Sequence, residues 1–128
     1  LKLLLDTHVF LWVIAESRRL SPAAKSFIGD PNHELVFSAV SLWEIAIKTG
    51  RARDDFRVDP SLVRRSLLEN GYAELPVTGA HATAVAILPP IHKDPFDRML
   101  VAQATVEGLT LVTSDPTVAD YPGPIRRI

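Results

Sequence analysis

Apolar residues follow two rhythms along the chain. Residues 1–5, 35–37 and 109–113 are short runs with almost no polar interruption, the pattern of strands buried on both faces. The stretches between them space their apolar residues at helical intervals and are punctuated by prolines and glycines. Asp6 or Thr7 opens a helix through residue 14. Ser21 followed by Pro22 caps a second helix that ends near Gly29, a position where the missing proline N–H costs nothing. Residues 38–48 read as a helix stopped at Gly50, and Asp59-Pro60 opens another that runs to Asn70-Gly71. A weak strand is expected at 74–77 and a helix from Thr78 to Leu88, where Pro89-Pro90 breaks it. Asp94-Pro95 starts a helix over 96–107 that Gly108 ends, and a last short strand is expected at 125–128. Short apolar strands alternating with helices specify βαβ units, hence an α/β fold whose mostly parallel sheet is covered on both faces.

Composition narrows the class. With 47% hydrophobic and 23% charged residues the chain is too apolar for disorder, and 128 residues suffice for a core without a metal or disulfide staple. A single domain over residues 1–128 is expected. No apolar run approaches the ~18 residues of a membrane span. The leucine-rich start is too short for a secretory leader and meets Asp6 at once, which together with the absence of cysteine predicts a cytoplasmic protein. Without cysteine, thiolate nucleophiles and zinc fingers are excluded.

In a parallel α/β sheet the ligand crevice lies beyond the carboxyl ends of the strands, so acids just after strands have priority. Asp6 and Asp115 qualify. Glu44 stands within the apolar stretch Leu42-Trp43-Glu44-Ile45-Ala46-Ile47, and Asp97 falls in the first turn of the helix after Asp94-Pro95-Phe96. Each has an ordinary structural reading: Asp6 as a helix cap, Glu44 paired with Lys48, Asp97 facing a helix dipole, Asp115 capping a turn. Gathered at one sheet edge, however, four carboxylates would repel one another unless protonated or neutralised by a cation. Oxygen ligands favour Mg²⁺ or Mn²⁺ over zinc, and such a site suits phosphodiester hydrolysis.

The segments Leu3-Leu4-Leu5-Asp6-Thr7-His8, Ser41-Leu42-Trp43-Glu44-Ile45-Ala46-Ile47-Lys48, His92-Lys93-Asp94-Pro95-Phe96-Asp97-Arg98-Met99-Leu100 and Thr113-Ser114-Asp115 resemble those of PIN-domain nucleases, and among them the VapC-type toxins of bacterial toxin–antitoxin pairs. The resemblance covers nearly the whole chain. It implies a three-layer α/β/α fold with a central sheet of 4–5 strands, Mg²⁺- or Mn²⁺-dependent cleavage of RNA, a VapB-type antitoxin partner and a homodimer. It also places the family's acidic quartet on Asp6, Glu44, Asp97 and Asp115. Asp94 is a fifth acid nearby, better suited to capping the helix that Pro95 begins. Thr7, Thr113 and Ser114 flank the acids and either orient them or cap strand ends.

Setting the four acids aside leaves a formal charge of +3 on the rest of the chain. Six basic residues (Lys48, Arg51, Arg53, Arg57, Arg64, Arg65) against three acids make the stretch from 48 to 65 a candidate for phosphate contacts, with Lys93 and Arg98 nearer the acids. The same stretch would also suit an acidic antitoxin segment. The four histidines show no short metal-ligand spacing and are read as ordinary polar residues, with His92, close before Asp94, the one placed to touch substrate. Phe10, Leu11, Trp12, Ile14, Leu42, Trp43, Ile45 and Ile47 exceed what one helix face each requires, and an apolar groove for an antitoxin segment is expected there. A receiver domain lacks its acid after the third strand, and a dehalogenase-like phosphotransferase would need an acid where His8 stands. The remaining alternatives are an RNA-processing nuclease without an antitoxin and a binding module that does not cut.

Overall fold

The computed structural model describes residues 1–50 and 58–128. Five strands, β1 (Lys2–Leu5), β2 (Glu34–Ser38), β3 (Ala73–Leu75), β4 (Thr110–Thr113) and β5 (Ile125–Arg127), form one sheet in the order β3-β2-β1-β4-β5, and every pairing is parallel. Among the described residues seven α-helices accompany them: α1 (Thr7–Ile14), α2 (Pro22–Ile28), α3 (Ala39–Gly50), α4 (Pro60–Glu69), α5 (Gly79–Ala84), α6 (Pro95–Glu107) and α7 (Pro116–Ala119). The result is the expected three-layer α/β/α arrangement.

Strand β1 shows why its run is all apolar. Leu3 and Leu5 enter a core with Val9, Phe10, Ile28, Phe37 and Leu67, while Leu4 enters a second core with Val36, Leu100, Val101, Ala104, Leu111 and Val118. Successive side chains point to opposite faces, so a central strand covered on both sides has no polar face. All three leucines are fully buried, worth roughly 1.5–3 kcal/mol each against exposure. Helices α1, α2 and α4 supply the first core and α6 and α7 the second. Helix α3 reaches both, through Ile45 and Val40.

Two elements depart from expectation. The helix expected from Thr78 to Leu88 is α-helical only to Ala84 and tightens into a 3-10 turn over Val85–Ile87. Leu88, preceding Pro89, is extended at φ −66° and ψ 141°, because proline disfavours helical backbone in the residue before it. Helix α7 was not anticipated, although Asp115-Pro116 repeats the cap-then-proline signature of Asp59-Pro60 and Asp94-Pro95. Gly108 ends α6 in the left-handed conformation at φ 68°, where a side chain would be strained, and turns the chain into β4.

The topology fixes where a ligand belongs. From the central β1 the chain moves outward through β2 and β3, then returns to pair β4 on the other side of β1. The crevice beyond the carboxyl ends of β1 and β4 is the switch point of the sheet.

Candidate active site

Asp6 leaves β1 at that switch point. It is 5% exposed and caps α1, one carboxylate oxygen (Oδ1) accepting the Val9 N–H at 2.9 Å. The other oxygen (Oδ2) accepts from Thr113 Oγ1 at 2.5 Å, across 107 residues of sequence. Thr113, at the end of β4, also accepts the N–H of Asp115 at 3.0 Å, so one hydroxyl links the first and last acids. Capping and a second role are therefore not exclusive for Asp6: each oxygen keeps a lone pair for another partner.

The neighbouring residue Thr7 orients Glu44. Its Oγ1 lies 2.7 Å from Glu44 Oε1 and 2.8 Å from Ser41 Oγ, and all three side chains are buried. Having one proton, Thr7 gives it to the carboxylate, which as an anion only accepts. Glu44 Oε2 receives Lys48 Nζ at 2.6 Å, the pairing along one helix face that the spacing suggested. Lys48 is thus engaged with the acid cluster rather than held out toward a phosphate. Asp94 caps α6 as expected, its Oδ1 accepting the N–H groups of Phe96 at 2.8 Å and Asp97 at 3.3 Å.

Asp97 carries the electrostatic signature of the site. Burial, followed by the charges of Asp94, Glu44 and Asp6, pushes its carboxyl from 3.8 up to about 7, with His92 opposing. Burial also pushes Asp6 up, against the hydrogen bonds of Thr113 and Val9 and the nearby His8, and Glu44 adds to the rise. Asp115 behaves oppositely. Its partial burial acts upward but is outweighed by the backbone N–H of Thr117, by His92 and by Val118, which hold it below the usual carboxylate range. It caps α7, one oxygen (Oδ1) accepting from Thr117 N at 2.8 Å.

Among the described residues, potential ligand atoms of His92, Asp97 and Asp115 lie within 4.8 Å of one another. His92 Nε2 is 3.2 Å from Asp97 Oδ2 and 3.3 Å from Asp115 Oδ2. This is the role that sequence spacing missed, because the partners of His92 come from other elements. Its place two residues before the Asp94-Pro95 cap was the available signal. The donor set fits a hard divalent cation: carboxylates from four separated segments, two of them pushed toward protonation by burial and mutual repulsion, with no thiol in the chain.

The basic residues divide. Arg98 corrects the expectation of a phosphate contact, since its guanidinium donates to the carbonyls of Val85 (3.1 Å) and Pro89 (3.0 Å) and to Tyr121 Oη (3.0 Å). It ties the turn before α6 to α7. Arg64 is likewise occupied, donating twice to Glu74. Lys93 and Arg65 are exposed, and Arg51, Arg53 and Arg57 lie outside the described residues. Ser114 is half-buried and makes no side-chain hydrogen bond among the described residues. Of the apolar surplus, Phe10 and Ile45 are core, whereas Trp43 is 61% exposed and Leu11 and Trp12 are half-buried. A depression of about 470 Å³ is lined by Trp12, Val13, Leu20, Ile28, Leu35 and Tyr72.

Comparison with known proteins supplies an independent view. The profile of the PIN domain matches residues 3–124. The chain is 33% identical over 121 residues to Ribonuclease VapC22 of Mycobacterium tuberculosis, covering 94% of this chain and 92% of that protein. Its fold is similar to that in VapBC2 from Rickettsia felis bound to a promoter DNA fragment (TM-score 0.71, 12% identity, 99% of this chain and 98% of that one). It is similar also to that in VapBC-5, a toxin–antitoxin system of Mycobacterium tuberculosis (TM-score 0.64, 22% identity, 99% and 97%).

Proposed function

The chain belongs to the PIN-domain family, and from that premise we propose that it is a divalent-metal-dependent endoribonuclease, the toxin of a toxin–antitoxin pair. The observation that carries the reading is the convergence of Asp6, Glu44, Asp97 and Asp115 at the carboxyl end of the sheet, with Asp97 pushed up to about 7 by burial and its acidic neighbours. Asp6, Glu44 and Asp97 would hold Mg²⁺ or Mn²⁺, and Asp115 would complete the set directly or through water. When bound, the cation offsets charge on the scissile phosphate and makes water a better nucleophile.

The protein's own groups have distinct tasks. Thr113 and the Val9 N–H fix Asp6, and Thr7 fixes Glu44, so these carboxylates are preorganised rather than free to rotate. Asp97, pushed up by burial and its acidic neighbours, would give up its proton to hold the cation. Water attacks phosphorus and the bond to the 3′ oxygen breaks, leaving a 5′-phosphate and a 3′-hydroxyl without help from the RNA 2′-hydroxyl. Lys93, with Arg51 and Arg53, contacts backbone phosphates and positions the strand.

The antitoxin is of the VapB type. The apolar depression beside Trp12 and Tyr72 supports docking of one of its segments, by burial of apolar anchors. The toxin works as a homodimer in the cytoplasm. No described helix is long and apolar enough to cross a membrane.

The decisive experiment incubates purified protein with cellular RNA in Mg²⁺, Mn²⁺ or EDTA and maps the fragment ends. Cleavage that needs the cation and leaves 5′-phosphates is expected. Cleavage in EDTA, or 2′,3′-cyclic ends, overturns the mechanism.

A further inference from the structure

Three tasks suit a histidine set between two carboxylates at such a site: ligating the cation, carrying a proton, or donating a hydrogen bond. The ring of His92 distinguishes them. Its Nδ1 accepts the backbone N–H of Asp94 at 3.1 Å, so the lone pair is on Nδ1 and the proton on Nε2. Ligation through Nε2, or action there as a base, would need a lone pair on that nitrogen. The Nδ1 proton this requires would point at the Asp94 N–H.

Nε2–H instead faces Asp115 Oδ2 at 3.3 Å, with Asp97 Oδ2 at 3.2 Å. The backbone of His92 is held just as firmly. Its N–H donates to Tyr121 Oη at 2.9 Å, and Arg98 donates to the same oxygen at 3.0 Å. With both lone pairs taken, the Tyr121 proton turns to the His92 carbonyl at 3.4 Å. Arg98 and buried Tyr121 therefore form a clamp whose product is the position of one imidazole.

We propose that His92 is a positioning residue: an Nε2–H donor, locked by Asp94 and the Arg98–Tyr121 clamp, that draws Asp115 toward Asp97 without ligating the metal. The inference rests on the metal-dependent nuclease reading and deepens it. It explains how Asp115, on a short helix of its own, is kept beside an acid from α6. It also makes His92 the support of Asp97 and Asp115 rather than a third ligand beside them.

The test begins with wild-type protein. Long-range proton–nitrogen correlation spectra of the metal-free form are expected to show the Nε2–H tautomer at His92; the Nδ1–H tautomer overturns the proposal. Pulsed EPR of the Mn²⁺-loaded protein is expected to lack an imidazole nitrogen coupling, and its appearance identifies His92 as a ligand instead. His92→Ala should weaken Mn²⁺ binding by about 10–100-fold, the usual effect of losing a group that orients a ligand. His92→Gln, which places an N–H near the same point, should recover most of that affinity and of the cleavage rate. A glutamine variant as poor as alanine overturns the proposal by demanding imidazole chemistry. Protein that binds Mn²⁺ but cuts no RNA refutes the nuclease reading while the tautomer and coupling results still decide His92. Protein that binds no Mn²⁺ refutes both.

Discussion

At Asp97 a carboxyl loses water on burial and faces three other acids, and the two effects push in the same direction. Asp97→Asn removes one member of a repelling group without changing its shape. The expected outcome is loss of cleavage with a melting temperature that holds or rises, measured by end-mapped RNA cleavage and circular dichroism. Thr113→Val tests the support of Asp6 instead. It deletes the donor to a buried carboxylate oxygen and should cost about 1–3 kcal/mol in denaturant unfolding while weakening Mn²⁺ binding. Unchanged values for both would show that the Thr113 hydroxyl contributes only packing. The places of the four acids, after β1 and β4 and on α3 and α6, were legible because residue type and local pattern carried them. The roles of His92, Arg98 and Lys48 were not, since a side chain's charge announces what it can bind but not which neighbour reaches it first. Arg98 found two carbonyls and a tyrosine, and Lys48 found Glu44.

Helix starts were the easiest elements to read, and one device explains most of them. Ser21, Asp59, Asp94 and Asp115 each cap a helix whose first residue is proline. At α6 the device does more than begin a helix, because its first turn presents Asp97. Asp94→Ala should cost about 1 kcal/mol of stability through loss of the cap. Asp94→Asn keeps a good capping side chain but removes a charge that raises the Asp97 carboxyl. It is expected to retain the wild-type denaturation midpoint while lowering the Asp97 titration midpoint, read from its side-chain carbon resonance against pH. Equal destabilisation by both substitutions would mean that the negative charge, not the cap, stabilises this turn. Strands β1, β2 and β4 were legible for a similarly local reason, a nearly unbroken apolar run having no face to give to water. The end of α5 was less so: a 3-10 turn and an α-helical turn bury much the same residues, and only the geometry imposed by the following prolines separates them. Helix α7 has four residues, too few for any period to register.

Sheet order brings these local events into one linked equilibrium. Pairing of β4 with β1 sets Asp115 beyond the same end of the sheet as Asp6, and packing of α3 and α6 adds Glu44 and Asp97, so folding itself concentrates negative charge. The sign of the pH dependence follows. Asp97 binds its proton more tightly in the folded chain, about 7 against an ordinary 3.8, so between these values the native state carries more protons than the unfolded one. Stability from this group is full below about pH 4 and is lost as pH rises through about 7. The loss is at most about 4 kcal/mol, and less once solvent screening of a part-exposed carboxyl is counted. Asp6 tilts stability the same way, and Asp115, held low, the opposite way in the acid range. Urea unfolding in EDTA should therefore show stability falling from pH 5 to pH 8 (roughly the window of the Asp97 proton), and Asp97→Asn should flatten the fall. Saturating Mg²⁺ should restore stability most at the alkaline end, because the cation binds the folded, deprotonated cluster and competes with the proton for the same oxygens. Calorimetric titration of Mg²⁺ near neutral pH should accordingly release protons into the buffer, seen as a binding heat that changes with buffer ionisation enthalpy. A heat independent of the buffer, together with a flat metal-free pH profile, would mean that the acids are already ionised and that solvent, not protonation, relieves their repulsion.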